Sequence, residues 1–256
     1  MRTDVHTHTT FSDGSALSAM IEAAEAAGLD GLGLTDHCIL TEDAFGRHET
    51  YDLDSTYERR RERIDTARST TDLTLYDAAE VSYVPEDADR IREFLATADF
   101  EYSIGSVHFA GGYDYTSDAQ YVDSTAEVRR DAVERYYDTV VDLVEADLFD
   151  VLGHLDLPER LETLRGVSRP SDYDRVAAAL ADSRTVPELN AGRVNDALGR
   201  PHPDPSMLSR FADHGVGFVL GTDSHRPEEV TTRVPTLRDR ITRSAIDCLE
   251  IDALLA

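Results

Sequence analysis

Asp4-Val5-His6-Thr7-His8 opens the chain, and Gly221-Thr222-Asp223-Ser224-His225 stands near its other end. Each run follows, or lies within, a strand-like stretch, and each sets two metal-binding side chains two residues apart. Side chains at i and i+2 project from the same face of a strand, so both can grip one ion. Between these ends lie three further motifs of the same kind: Thr35-Asp36-His37, Gly105-Ser106-Val107-His108 and Gly153-His154-Leu155-Asp156. Glu80 closes another strand-like run, Leu73 to Glu80. Of nine histidines, six fall in these motifs. A lone His-x-His carries little weight; imidazoles and carboxylates at the ends of successive strands are how a barrel assembles a site for several metals.

Working outward, the periodicity predicts strands over Thr3–His6, Leu29–Leu34, Leu73–Glu80, Phe100–Ser106, Phe149–Leu152, Thr185–Asn190 and Gly217–Leu220. Helical spacing fills the intervals: Ser15–Ala27 (Leu17, Met20, Ile21 and Ala24 on one face, Gly28 at its end), Ser55–Ser69, Glu86–Ala98, Thr125–Ala146, Ser171–Ser183, Pro205–His214 and the stretch after Pro227. Seven strands alternating with helices imply parallel pairing with right-handed crossovers. The chain has no glycine-rich dinucleotide fingerprint and places chemistry after nearly every strand, which favours a closed barrel over an open sheet. Ile39 to Asp54 and Gly111 to Asp123 are polar and irregular, and are expected as loops over the site. With no linker, repeat or low-complexity segment, residues 1–256 are expected to form one domain of the α/β class.

The formal charge is −26, from 51 acidic and 25 basic residues, and every basic residue is Arg. Acid excess spread along the chain, together with the absence of Lys, points to a halophilic protein whose self-repulsion is screened by a salty cell interior. Such a surface disfavours non-specific binding to nucleic acid or anionic membranes. Cys38 and Cys248 are too far apart in sequence for a CxxC site and form no disulfide framework. No run is apolar enough to span a membrane and no charged leader is evident, so the expected location is cytoplasmic.

His, Asp and Glu without thiolates suit Zn²⁺, Mn²⁺ or Fe²⁺, and the surplus of donors over one tetrahedral ion implies two or three ions. The motifs, with Phe11-Ser12-Asp13-Gly14, resemble those of the PHP (polymerase and histidinol phosphatase) superfamily. The resemblance implies a distorted, TIM-like (β/α)7 barrel. It also implies a ligand set: His6, His8, Glu80 and Asp223 for one ion; Asp13, His37 and His225 for a second; His108 and His154 for a third, with Glu80 bridging. Some family members carry histidine where this chain has Asp13. Gly105 to Phe109, Gly153 to Leu157 and Glu188-Leu189-Asn190-Ala191-Gly192-Arg193 resemble the monofunctional histidinol-phosphatase branch.

That resemblance implies a small phosphorylated substrate, hydrolysis of histidinol phosphate by metal-activated water in histidine biosynthesis, and arginines at the barrel mouth to hold phosphate. Arg160 and Arg193 are the expected phosphate residues, followed by Arg226, and Asp156 is the expected aid to alcohol departure. The alternative keeps the site but acts on phosphodiesters of oligonucleotides or on nucleotide bisphosphates; a metal-binding module without activity ranks last, since all nine ligand positions carry competent residues. Asp36 and Asp156 either orient neighbouring histidines or cap the segments that follow. Tyr113 and Tyr115 either line the substrate's imidazole or pack the loop. His48 and His202 are expected in loops, His214 at a helix end, and Asn190 either at the mouth or in turn chemistry.

Overall fold

The computed structural model describes residues 1–41, 51–244, 246–251 and 254–255. His48 and most of the first polar loop therefore lie outside the described residues. All seven expected strands form: β1 (Thr3–Thr7), β2 (Gly31–Leu34), β4 (Thr74–Ser82), β5 (Tyr102–Ser106), β8 (Val151–Leu152), β9 (Val186–Asn190) and β10 (Val219–Gly221). They pair in parallel in that order. The circle is closed by hydrogen bonds between its two ends, His8 N to Ser224 O at 2.9 Å and Asp223 N to His6 O at 2.8 Å. The outcome is a nearly closed α/β barrel of seven parallel strands. Helices α1 (Leu17–Ala26), α2 (Leu53–Arg68), α3 (Ala88–Ala98), α4 (Ala126–Glu145), α5 (Pro170–Ala181), α6 (Leu208–Asp213) and α7 (Pro227–Thr242) follow the strands as expected. Among the described residues no helix is long and apolar enough to cross a membrane.

Two short elements depart from the expected pattern. Strand β3 (His37–Cys38) pairs in parallel with Glu80 and Val81 of β4, resuming after a short gap the register in which β2 pairs with β4, so His37 lies opposite Glu80. Within the second loop, β6 (Phe109–Ala110) and β7 (Tyr113–Asp114) form an antiparallel hairpin. Its turn, Gly111-Gly112, has φ of 56° and 86°. Positive φ at both central residues is the requirement of a tight hairpin turn, which two glycines meet at little cost.

Alternation along the strands carries the core into the site. Tyr76 and Ala78 of β4 belong to a buried cluster with Tyr102, Ile104, Val151 and Val219. Two residues further on the same face comes Glu80, then Ser82. The period of two thus turns from apolar to acidic at one level of the barrel. Gly33 is required by close approach: a Cβ there would lie 1.8 Å from the hydroxyl of Tyr102. That hydroxyl donates to Val5 O at 2.6 Å.

A buried arginine ties α2 to the sheet. Arg60, 1% exposed, donates to Leu34 O (3.0 Å), Asp36 Oδ2 (3.1 Å), Asp77 Oδ1 (2.5 Å) and Ala78 O (2.5 Å). Removing one partner of a buried ion pair leaves the other charge uncompensated, at a cost of about 3–5 kcal/mol. Arg60→Ala is therefore expected to lower unfolding free energy by that amount in urea titration. A loss below roughly 1 kcal/mol, the scale of an exposed pair, would show that the cluster is not a strut.

Candidate metal centre

Six strand ends deliver eight of the ligand-type side chains. β1 delivers His6 and His8, β3 His37, β4 Glu80, and the segments after β5, β8 and β10 deliver His108, His154, and Asp223 with His225. Asp13 comes from the turn after β1, where Ser12 N and Gly14 N both donate to Thr9 O. All nine side chains meet at one mouth.

Glu80 lies at the centre, 1% exposed. Its Oε2 is 2.6 Å from His37 Nδ1, 3.4 Å from His6 Nε2 and 3.7 Å from His8 Nε2. Its Oε1 is 3.0 Å from His154 Nε2 and 3.6 Å from His108 Nε2. The two oxygens therefore face two separate groups of imidazoles. Asp223 Oδ1 lies 3.3 Å from His8 Nε2 and 3.9 Å from His6 Nε2. Asp13 Oδ1 lies 3.3 Å from His225 Nε2 and 3.7 Å from His37 Nε2. The ring of His8 packs against those of His37 and His225, at centroid distances of 4.2 and 4.1 Å.

Two donors bound about 2.1 Å from a tetrahedral ion lie roughly 3.4 Å apart. Many of the separations above fall near that value, and three groups are compact enough to share an ion: His8, Asp13, His37 and His225; His6, His8 and Glu80; His37, Glu80 and His108. His37 presents one ring nitrogen to Glu80 and the other toward Asp13, so it spans two groups rather than serving one. Buried polar atoms normally have hydrogen-bond partners. Here His6 Nε2 and both ring nitrogens of His8 have none. Orphaned donors that converge on one point are what a cation would satisfy, and the residues present fit divalent metal.

The electrostatics of His8, His108, Glu80 and Asp223 match that donor set, whereas at His6 and His37 the surrounding carboxylates, Glu188 and Glu80 foremost, outweigh burial and raise the pKa. Burial, reinforced by His225 and His37, lowers the His8 pKa to about 3, so its imidazole is neutral near pH 7 and keeps a free lone pair. Burial likewise takes His108 down to about 3 against the pull of Glu80. Burial alone would raise Glu80, but His37 and His6 outweigh it and hold its carboxyl well below the ordinary range. Asp223 is held down in the same way, chiefly by His6 and His8.

A cavity of about 730 Å³ opens above this cluster, with Asp13, His37, His108, His154, Asp223 and His225 in its wall. Arg160 and Arg193 also line it, with Arg226 and Arg233. Arg160 NH2 lies 3.3 Å from Asp223 Oδ2, and its buried Nε has no partner. Arg193 is more open and pairs with Asp196 at 2.7 Å.

Asp156 is not where a leaving-group acid should be. It is fully buried and absent from the cavity wall. Its carboxylate accepts from Tyr173 OH (3.0 Å), Asp204 N (2.8 Å) and the ring of His202. His202, expected in a loop, is wholly buried against it. Tyr115 donates to Ala132 O at 2.7 Å and Tyr113 to Asp131 at 2.8 Å, so both pack the loop, and it is Phe109, Asp114 and Thr116 that face the cavity. Asp36 accepts from Thr9 N (2.7 Å), Thr9 Oγ1 (2.8 Å) and Ser12 Oγ (2.8 Å), bracing the turn between His8 and Asp13 rather than orienting a histidine ring. Asn190 serves turn chemistry, accepting from Gly192 N at 2.7 Å. Two residues that sequence reasoning missed are Tyr51, whose hydroxyl donates to Asp13 at 3.2 Å, and Arg233, which donates to Asp223 O at 2.7 Å.

Residues 4–187 match the model of the PHP domain family. This chain belongs to that family. Among curated relatives, the "Probable histidinol-phosphatase" of Deinococcus radiodurans is 29% identical over 90% of this chain and 88% of its own length. A protein of the same name from Clostridium acetobutylicum is 25% identical over 89% of this chain and 88% of its own length. Among solved structures, histidinol phosphate phosphatase from Lactococcus lactis, complexed with zinc, L-histidinol and phosphate, superposes with a TM-score of 0.79 at 21% identity, covering 97% of this chain and 95% of that one.

A ligand that binds only the folded state stabilises it by mass action, by about 4 kcal/mol at 1,000 times its Kd. Zn²⁺ added to chelator-stripped protein is expected to raise the thermal midpoint, and His8→Ala to reduce that rise. An unchanged midpoint at saturating zinc would contradict the metal reading of the cluster.

Proposed function

We propose that this PHP-domain protein is a metal-dependent phosphomonoesterase, and that its substrate is histidinol phosphate, cleaved to histidinol and phosphate. The observation that carries the reading is the placement of Arg160 beside Asp223: a guanidinium with a free buried donor stands at the edge of a carboxylate–imidazole cluster, within one cavity. The names of the two curated relatives, and the ligands named for the Lactococcus structure, support the same substrate.

In this reading His6, His8, Glu80 and Asp223, then Asp13, His37 and His225, then His108 and His154, hold two or three divalent ions, Zn²⁺, Mn²⁺ or Fe²⁺. Such ions, when bound, lower the pKa of water from about 15.7 to roughly 7 and offset charge on phosphoryl oxygens. The chain supplies the rest. Arg160 offers a planar fork suited to two phosphate oxygens, with Arg193 as the outer contact. Arg233 acts differently, since its guanidinium is occupied by Thr222 O, Asp223 O and Glu229 and so braces the Asp223 backbone. Asp156, saturated and out of the cavity, positions the segment leading to Arg160 and is not the proton donor to the alcohol. The cavity is of the size that encloses a small metabolite, and the acidic surface disfavours oligonucleotides at low salt. In this reading the protein works in the cytoplasm, and among the described residues no helix is long and apolar enough to cross a membrane.

Phosphate release by Mn²⁺- or Zn²⁺-loaded protein in molar KCl tests the substrate. Histidinol phosphate is expected to exceed other phosphomonoesters and a short oligonucleotide in kcat/KM, and Arg160→Ala to lower that value by about 10²-fold or more, the scale of one lost transition-state donor. Oligonucleotide cleavage without preference for histidinol phosphate would move the protein to the phosphodiesterase reading.

A further inference from the structure

Glu188 on β9 is fully buried and is not part of the wall of the cavity above the cluster. Its register places it beside Val219 of β10, facing into the barrel below the metal cluster. A buried carboxylate must be compensated by donors or a cation. Glu188 Oε1 and Oε2 lie 3.0 and 3.1 Å from His6 Nδ1. Oε2 also accepts from Asn190 Nδ2 at 3.0 Å and from the backbone N–H of His154 at 3.3 Å.

Space for this carboxylate is kept by the absence of a side chain opposite. A Cβ on Gly221 would lie 1.7 Å from Glu188 Oε1 and 2.7 Å from His6 Cβ. His154 is one of few non-glycine residues with positive φ, at 21°, and its amide is the one that Glu188 accepts.

We propose that Glu188 is a positioning residue that holds two ligand histidines at once, His6 through its ring and His154 through its amide. This rests on the metal reading of the cluster. With the Nδ1 proton of His6 held by Glu188, the Nε2 lone pair points at the space between Glu80 Oε2 and Asp223 Oδ1, 3.4 and 3.9 Å away. A carboxylate in this place fixes both tautomer and ring rotation, and raises the basicity of the nitrogen that meets the ion. The anchored backbone of His154 sets its Nε2 3.0 Å from Glu80 Oε1. Glu188 thereby braces both faces of the central carboxylate from below.

The test is zinc affinity of the full chain, by competition with a chromophoric chelator, for wild type, Glu188→Gln and Glu188→Asp, with thermal unfolding of each stripped protein alongside. Gln keeps the volume but removes the charge; Asp keeps the charge but withdraws it from His6. Either folded variant is expected to bind zinc about 10- to 100-fold more weakly, while the midpoint of its stripped form stays close to that of wild type. Wild-type affinity in a folded variant overturns the inference while leaving the metal reading intact. A wild-type protein that takes up no zinc overturns both.

Discussion

One carboxylate organises the mouth of this barrel. Glu80 sits at the point where the inward face of β4 changes from apolar to acidic, with five imidazoles within 3.7 Å of its two oxygens. A charge so deeply buried is expensive unless it is compensated, and here the compensation comes from the histidines themselves. The remaining features follow from that constraint. β3 continues the pairing of β2 with β4, which sets His37 opposite Glu80 and within reach of Oε2. Closure between β1 and β10 brings Asp223 against His8. Glu188 and Asp36 hold the elements that carry ligands without themselves entering the cavity.

Most of the barrel could be read from the chain because parallel α/β units repeat a simple alternation. The barrel strands were marked by runs of four to eight mostly apolar residues, most helices by a 3.6-residue stripe, and nearly every strand by a polar motif at its mouth end. What escaped was shorter than any periodicity. β3 has two residues, and its pairing with β4 joins positions 43 apart. The β6–β7 hairpin carries its signal in Gly111-Gly112 flanked by Ala110 and Tyr113, a turn that favours tight hairpins, but strands of two residues leave no alternation to see.

The site separates along the same line. The ligand-type residues stood out since metal chemistry demands particular side chains at strand ends. Supporting residues did not, because their roles depend on partners distant in sequence. Asp156 follows a ligand motif and reads as a proton donor, yet Tyr173, His202 and Asp204 engage it entirely. Glu188 reads as one residue of a strand and becomes meaningful only beside His6, 182 positions away. Arg160 and Arg193 could be picked from 25 arginines by their place after strands, whereas Arg233 lies in the middle of α7 and reads as surface.

The claim on which the account turns is that the two oxygens of Glu80 face different ions. Anomalous diffraction at the zinc edge from crystals of the zinc-loaded protein measures this directly. Separate peaks are expected on the two sides of the carboxylate, each about 2.0–2.2 Å from its own Glu80 oxygen, with His6 or His8 bound on one side and His108 or His154 on the other. A single peak remote from Glu80, or none in the mouth of the barrel, would contradict the account.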